Sequence, residues 1–318
     1  RVSISAVLDA KISVLSALVV SGLTSADGRA TSLDNAISVV SNALSNETSN
    51  RISADGVVAN AISVVSANIA SIHTAMQDPT GFENRTDSDW TFSAAKLEIT
   101  TTSAYAIWFD GVKHGISSTK DISITDVEGT HLIYFDTDDT IKEYVNPTAG
   151  DILAAIRDKC LISYVYWDTS AKQATYVGEE RHGTVMDGMT HYYLHNTRGL
   201  QVVSGLTLSG FTIGDGSLDT HAQFAVDTGT VADEDIGLTV SAIASNVGLP
   251  ILYKTGASSY WRTVTEAGFA CYKNPAGGTN RLMYNQYTGG AWTTTEIGEG
   301  NYVLYHIFAT TGKVNKIY

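Results

Sequence analysis

The chain has 318 residues and a formal net charge of −13, from 20 Lys and Arg against 33 Asp and Glu. This negative field repels the phosphates of nucleic acids and anionic lipid surfaces, so a nucleic-acid partner is not expected. The two cysteines, Cys160 and Cys271, are too few for a disulfide framework. The longest apolar run, at residues 14–20, is far shorter than the roughly 20 residues that span a bilayer, so no membrane insertion is expected.

Residues 1–78 form a region of their own, because all 16 Tyr, 8 Phe, 5 Trp and 4 Pro residues follow them. A pattern beginning Ile-Ser-Val occurs at residues 12, 37 and 62, an offset of 25 both times. Apolar residues around it recur mostly three or four positions apart, which is helical spacing. The predicted apolar stripe is Leu8, Ile12, Leu15, Val19, Leu33, Ile37, Val40, Leu44, Val58, Ile62, Val65, Ile69, Ile72 and Met76.

The stripe predicts a parallel trimeric coiled coil over residues 1–78. Seven helical turns in 25 residues give about 3.57 residues per turn, between the heptad and straight-helix values. A helix with one apolar face is not stable alone, and no other helical segment of comparable length is present to cover it. β-Branched core residues favour three or four strands over two, so we expect a homotrimer. The alternative is three short helices in a monomer, with turns at 27–28 and 55–56.

After Asp78-Pro79, where helix is disfavoured, the apolar period changes to two. Hairpins at 105–114 and 131–145, a helix at 149–158 and strands at 161–166 and 173–177 predict a β-rich module over residues 82–180. Residues 181–217 are rich in glycine and predict a connector. A second β-rich module, possibly truncated, is expected over residues 218–318, with strands at 222–226, 238–242, 251–254, 282–287, 292–297 and 302–308. The predicted fold is therefore an α+β modular fibre: an N-terminal trimeric coiled coil followed by two mainly antiparallel β modules.

Several segments resemble trimeric tail-fibre and other appendage proteins of bacteriophages. They are the Ser/Ala/Asn-rich repeats up to residue 76, GTHLIYFD at 129–136, RHGTVMDGMTHYYLHNTRG at 181–199, FTIGDG at 211–216 and YNQYTGGAW at 284–292. The motif at 181–199 is the most specific, and together the similarity covers nearly the whole chain. The resemblance implies a virion protein: a structural component of a tail fibre that acts as a trimeric spacer and host-surface adhesion element. Its partners would be copies of itself, other virion tail proteins and a host cell-surface glycan or protein.

The sequence contains no catalytic motif. G-x-S-x-G, H-E-x-x-H and Walker patterns do not occur in it, so we predict no enzyme, no catalytic residue and no cofactor. Two alternatives remain. A capsule-degrading tail-spike enzyme would need a paired-carboxylate cleft and a larger β-helical body. A cellular trimeric adhesin should carry an export signal or a membrane anchor.

Two groups of residues are candidate binding sites. His191 and His195 are four positions apart, near His182, and would share a helix face; one histidine per chain at a threefold axis would supply three metal ligands. The alternative is that these histidines hydrogen-bond the backbone. Aromatic faces beside Asn and Gln suit sugar rings, but they are equally typical of β cores and trimer interfaces. The candidate glycan-binding residues are Tyr260, Trp261, Tyr284, Tyr287 and Trp292.

Overall fold

The structure, a computed structural model, describes residues 3–76, 78–101, 104–274 and 281–318, and the side chains of all of these except 70–76 and 101. The chain divides into two compact units, Arg1–Ile72 and His73–Tyr318. The layout is α+β: one long helix, followed by several small antiparallel sheets with two short helices.

The element of the first unit is helix α1 (Ile4–Met76), which is 73 residues long and ends four residues past the boundary at Ile72. Ser3 caps its start, since the Ser3 Oγ accepts a hydrogen bond of 3.2 Å from the backbone N–H of Ala6. Hydroxyls within the helix, such as those of Thr24 and Thr48, donate to the carbonyl four residues earlier. Because the helix is continuous through 27–28 and 55–56, the alternative of three short helices with turns there is wrong.

The predicted stripe lies on α1 and is exposed. All side chains described in residues 3–69 are exposed, including Leu15 at 64% and Val40 at 65%. The side chains of Ile72 and Met76 lie outside the described part of the chain. The single chain therefore contains a helix whose apolar residues have no partner among its described residues, and the trimeric coiled coil stays a prediction.

The second unit is built from hairpins and short strands. Its helices are α2 (Ala149–Asp158) and α3 (Gly188–Thr197), with a 3₁₀ turn at Arg85–Asp87. The strands are β1 (Gly81–Phe82), β2 (Ser88–Ser93), β3 (Lys96–Thr101), β4 (Tyr105–Phe109), β5 (Val112–Ile116), β6 (Lys120–Ser123), β7 (Gly129–Phe135), β8 (Ile141–Val145), β9 (Cys160–Asp168), β10 (Gln173–Glu179), β11 (Gln201–Gly205), β12 (Leu208–Ser209), β13 (Ala225–Val226), β14 (Gly229–Asp233), β15 (Ile236–Val240), β16 (Pro250–Thr255), β17 (Tyr260–Thr265), β18 (Met283–Thr288) and β19 (Ala291–Glu296).

An antiparallel sheet in the order β10–β9–β7–β8 forms the centre of this unit. Alternate residues of β7 serve two different cores, because successive strand side chains point to opposite faces. Leu132 and Tyr134 pack with Ala155 and Ile156 of α2, whereas Ile133 and Phe135 belong to the larger core. The predicted helix at 149–158 is confirmed, and it begins with a capping box of Thr148 and Asp151.

The larger core lies between the central sheet and two three-stranded sheets, β1–β4–β5 and β2–β3–β6. The predicted hairpin at 105–114 is confirmed, since β4 pairs with β5 from Tyr105↔Ile116 to Phe109↔Val112. The fully buried side chains of this core include Phe82, Trp90, Leu97, Ile99, Ile107, Ile133, Phe135 and Ile162.

The later strands form the sheet β11–β14–β15 and the pairs β12–β13, β16–β17 and β18–β19. Their cores contain Phe224, Val226, Val231, Val240, Leu249, Phe269, Cys271 and Leu282. The predicted strand at 302–308 is wrong. Val303, Tyr305 and Ile307 do alternate with more exposed neighbours, but the segment belongs to no sheet of the described structure. Only at its end does Phe308 exchange backbone hydrogen bonds, of 2.8 and 2.9 Å, with Tyr318. An alternating pattern records which side chains face inward, not whether a hydrogen-bonding partner strand is present.

The segment 181–217, predicted as a Gly-rich connector, contains α3, β11 and β12. Gly188 allows α3 to lie close to the end of α2, since a Cβ at Gly188 would be 2.1 Å from the carbonyl oxygen of Arg157. This close approach places the histidines of α3 beside the central sheet.

Candidate functional site

Helix α3 places two of the predicted histidines on one face. Asp187 caps the helix, because its Oδ1 accepts hydrogen bonds of 2.9 Å from the backbone N–H groups of Met189 and Thr190. His191 and His195 are then one turn apart, with ring centroids separated by 6.0 Å. His191 is buried and His195 is partly exposed.

The third histidine, His182, reaches the same place from the chain that follows β10. Its carbonyl oxygen accepts a hydrogen bond of 2.8 Å from the N–H of Phe82. Gly81 permits this close approach, since a Cβ there would lie 2.5 Å from the same oxygen. The ring centroid of His182 is 4.1 Å from that of His191, and only 3% of the side chain of His182 is exposed. His182, His191 and His195 of one chain therefore lie together.

Carboxylates from the tight turn between β14 and β15 complete the cluster. Glu234 occupies the left-handed region, with φ of 45°, where a glycine would be the usual residue. Its side chain is 1% exposed, and its Oε2 lies 3.6 Å from His182 Nε2 while its Oε1 lies 3.8 Å from His195 Nδ1. Glu180 Oε2 is 3.8 Å from His182 Nε2, and buried Asp233 lies close by. We call His182, His191, His195 and Glu234 the histidine cluster.

Asp235 fixes the orientation of the His182 ring. Its Oδ1 lies 2.7 Å from His182 Nδ1, and its Oδ2 accepts a hydrogen bond of 2.8 Å from the N–H of Gly183. With Nδ1 engaged in this way, His182 Nε2 points toward the carboxylate of Glu234.

Several polar atoms of the cluster are buried without a hydrogen bond. Among the described residues, no partner is found for His182 Nε2, His191 Nε2, His195 Nδ1 or either carboxylate oxygen of Glu234. The separations of 3.6 and 3.8 Å are longer than a direct hydrogen bond, which lies between about 2.7 and 3.2 Å. A buried polar group without a partner is costly, so these atoms are the part of the cluster best placed to bind a ligand.

The pKa values of the side chains in the histidine cluster are shifted far from their ordinary values. Burial alone would lower the pKa of His182, but Asp235 and Glu180 outweigh burial and raise this pKa to about 10. Burial and the neighbouring imidazoles of His182 and His195 lower the pKa of His191 to about 3. Burial and the negative charge of Asp233 raise the pKa of Glu234 to about 7. His191 is therefore neutral at pH 7, with a free ring nitrogen.

The sequence pointed to the histidines but not to the acids. Glu180, Glu234 and Asp235 were not predicted, and 53 residues separate His182 from Asp235. A signal for them does exist, because the acidic run at 233–235 fills a turn between alternating strands that normally takes Gly or Asn.

The predicted aromatic residues lie near one another on the paired strands β16–β17 and β18–β19. Tyr287 and Trp292 are directly paired across β18 and β19, with ring centroids 5.5 Å apart. Lys254 Nζ lies 4.9 Å from the ring centroid of Trp261 and 5.5 Å from that of Trp292. Tyr260 instead lies against the guanidinium of Arg262. Lys254 therefore contacts both Trp261 and Trp292, and Tyr287 packs against Trp292.

A cleft of about 850 Å³ opens beside these strands. Trp261 and Tyr284 line it, so two of the five predicted aromatic residues face this space. The other lining side chains include Tyr253, Tyr272, Asn285, Asn301 and His306. Ring faces together with amide and hydroxyl groups can stack on a sugar and bind its hydroxyls, and the volume is in the range of small-molecule sites.

One finding revises the argument against a membrane span. A stretch within Ile4–Ile69 of α1 is long and apolar enough to cross a bilayer by length and composition alone. The short apolar run at 14–20, which Ser16 interrupts, is a poor measure, because Ser and Ala between apolar residues still allow an apolar average over a longer window. The core helix of a soluble protein and a signal sequence pass the same test.

No family model, curated protein or solved structure matches this chain.

Proposed function

We propose that the chain is a segment of a homotrimeric bacteriophage tail fibre, a virion component that acts as a spacer and a host-surface adhesion element. One observation carries the proposal: a 73-residue helix exposes an apolar stripe that repeats every 25 residues. At about 1.5 Å per residue, this helix is a rod of about 110 Å. Its length and its exposed face suit a shaft.

Identical copies are the partners that fit this stripe best. Fully burying an apolar side chain contributes about 1.5–3 kcal/mol, and the stripe offers such residues over the whole length of α1. Because the pattern repeats at a fixed offset, parallel copies in register match apolar to apolar along the rod. The β-branched Ile12, Val40 and Val65 favour three or four strands over two, and we choose three.

Light scattering of the purified chain tests whether the shaft is a trimer. The expected mass is about three times the 33.9 kDa of one chain. Val40→Asp, on the predicted stripe, should dissociate the trimer or lower its melting temperature. Val39→Asp is the matched control, since Val39 is also exposed but lies off the stripe. A folded monomer at high dilution, or equal effects of the two substitutions, would contradict the trimeric shaft.

The aromatic cleft supports the adhesion role. Each chain of a trimer would present one cleft of about 850 Å³. Three linked sites bind a repetitive surface more tightly than one, because the second and third contacts form at a high effective concentration. Weak binding of a single glycan unit is then sufficient for attachment.

Binding to a host glycan array tests the adhesion role. Trp261→Ala and Tyr284→Ala should abolish glycan binding and leave the melting temperature of the trimer nearly unchanged. Tyr193→Ala, an exposed tyrosine of α3, is the matched control and should bind like the wild type. Release of reducing ends from the same glycans would instead favour a capsule-degrading enzyme.

A cellular trimeric adhesin is the second candidate, favoured by the length and composition of α1. Co-flotation with phosphatidylcholine vesicles distinguishes the tail fibre from the cellular adhesin. A fibre shaft should remain unbound, whereas a membrane-spanning helix should float with the vesicles in an alkali-resistant manner.

A further inference from the structure

We propose that the histidine cluster is a binding site for one divalent transition-metal ion of the zinc class, held by His182, His191 and Glu234 with His195 beside the same carboxylate. The site is contained in a single chain and requires no threefold axis. It is also independent of the fibre proposal, because it rests only on contacts within the second unit.

The ligand atoms are spaced for a metal ion. The donor atoms of His182, His191 and Glu234 all lie within 4.8 Å of one another. A tetrahedral ion with bonds of about 2.0–2.1 Å needs donor atoms about 3.3 Å apart. The separation of 3.6 Å between His182 Nε2 and Glu234 Oε2 is close to this value. Small side-chain adjustments would bring both atoms to bonding distance.

His182 is also oriented as metal ligands usually are. A ligating histidine normally uses its second nitrogen to bind a carboxylate or a backbone carbonyl. His182 does so through Asp235, at 2.7 Å. The Nε2 atoms of His182 and His191 are buried and have no hydrogen-bond partner among the described residues.

The local charge favours a cation. Glu180, Asp233, Glu234 and Asp235 bring four carboxylates near the three imidazoles. An ion of charge +2 would give the unpaired oxygens of Glu234 a partner and would stabilise its ionised form. Imidazole with carboxylate ligands suits Zn²⁺ and neighbouring transition metals, whereas Ca²⁺ and Mg²⁺ prefer sites made only of oxygen.

The ion would join three separate parts of the fold. His182 follows β10, His191 and His195 lie on α3, and Glu234 lies in the turn between β14 and β15. A bond to each part restrains the whole second unit, which is a structural role of the kind that closed zinc sites have in other proteins.

Titration of the intact chain tests the site. After dialysis against EDTA, calorimetry with ZnCl₂ should give about one Zn²⁺ per chain and a rise in melting temperature. Co²⁺ should add a visible absorption band that excess Zn²⁺ removes. Glu234→Gln, which keeps the shape but removes the charge, should weaken Zn²⁺ binding by at least about 100-fold. His191→Gln should do the same.

His114→Gln is the matched control. His114 Nδ1 also lies 2.6 Å from a carboxylate, that of Asp139, but outside the histidine cluster. This variant should bind Zn²⁺ like the wild type. The proposal is overturned if the wild-type chain binds no Zn²⁺, or if Glu234→Gln binds it as tightly as His114→Gln. Where His191→Gln does not fold, Glu234→Gln alone decides the result, and light scattering shows separately whether the trimer is intact.

Discussion

His182 and Asp235 are paired through Nδ1 and Oδ1 at 2.7 Å, although 53 residues separate them in the chain. The pair joins the segment after β10 to the turn between β14 and β15. The other oxygen of Asp235 accepts from the N–H of Gly183 and lies 4.0 Å from Arg85, so the carboxylate is held from several sides. Asp235 is therefore a positioning residue for His182.

Replacing Asp235 should weaken metal binding without removing a ligand. Asp235→Asn keeps the shape but weakens the contact to His182 Nδ1, and losses of this kind typically lower affinity by about 10–100-fold. Calorimetry with ZnCl₂ measures the change. Asp215→Asn is the control, because Asp215 lies 3.2 Å from His221 outside the histidine cluster. Equal affinities for the two variants would contradict this role of Asp235.

The packing of α3 on α2 should depend on Gly188. Because a Cβ at this position would lie 2.1 Å from the carbonyl oxygen of Arg157, Gly188→Ala forces the helices apart and should cost about 1–3 kcal/mol of unfolding free energy. Urea denaturation of the wild type and the variant measures this change in unfolding free energy. Gly115→Ala should change stability little, since a Cβ at Gly115 meets no atom within 4 Å. Similar urea midpoints for the two variants would show that the close approach of α3 to α2 does not contribute to stability.

Arg181 should be essential for the larger core. Its guanidinium binds the buried Glu179 at two points, 2.7 and 2.8 Å, and Trp90 Nε1 donates to the same carboxylate at 2.9 Å. Burial opposes ionisation of Glu179, but Arg181 outweighs it and holds the pKa below its ordinary value. Arg181→Met leaves this carboxylate without its cation and should cost about 3–5 kcal/mol in thermal or urea unfolding.

Two further variants distinguish the effect of stranding the buried Glu179 carboxylate from the effect of losing any positive charge. The double change Arg181→Met with Glu179→Leu should recover much of the stability, because it removes the stranded carboxylate as well. Arg157→Met, which breaks an exposed ion pair with Asp158, should have a much smaller effect than Arg181→Met. A double variant less stable than Arg181→Met would contradict the idea that the unpaired Glu179 carboxylate causes the loss of stability.

The pair of His131 and Glu143 should make stability depend on pH. The two side chains are 2.8 Å apart. Burial opposes the charged imidazole, but the bond to Glu143 raises the pKa of His131 above its ordinary value of 6.5. Burial likewise opposes ionisation of Glu143, but His131 and Thr125 lower its pKa below 4.5. The stabilisation from His131 is complete below pH 6.5 and is lost as pH rises through its folded pKa; that from Glu143 is present above pH 4.5 and is lost as pH falls through its folded pKa.

The stability difference between the wild type and His131→Gln should therefore be largest between about pH 4.5 and 6.5 and should decrease on both sides. Melting temperatures across this pH range measure the difference. Glu143→Gln removes the same pair from the other side and should give the same profile. Parallel curves for the wild type and both variants would contradict the contribution of the pair.

Local patterns in the sequence determined much of the secondary structure. The three- and four-residue spacing specified α1, and Asp78-Pro79 marks its end. The alternation around Asp110-Gly111 specified the hairpin of β4 and β5, and the Thr148 and Asp151 capping box supports α2. These signals succeed because the period of apolar residues, the turn and the cap all act within a few residues.

Only the tertiary structure decided which distant side chains meet. It brought Glu234 and Asp235 to the histidines and left the segment at 302–308 outside the sheets of the described structure. Contacts of this kind depend on how separate elements pack, and single-sequence periodicity contains no information about such packing. The same limit applies to α1: the sequence specifies an apolar stripe, but what covers it is a property of the assembly.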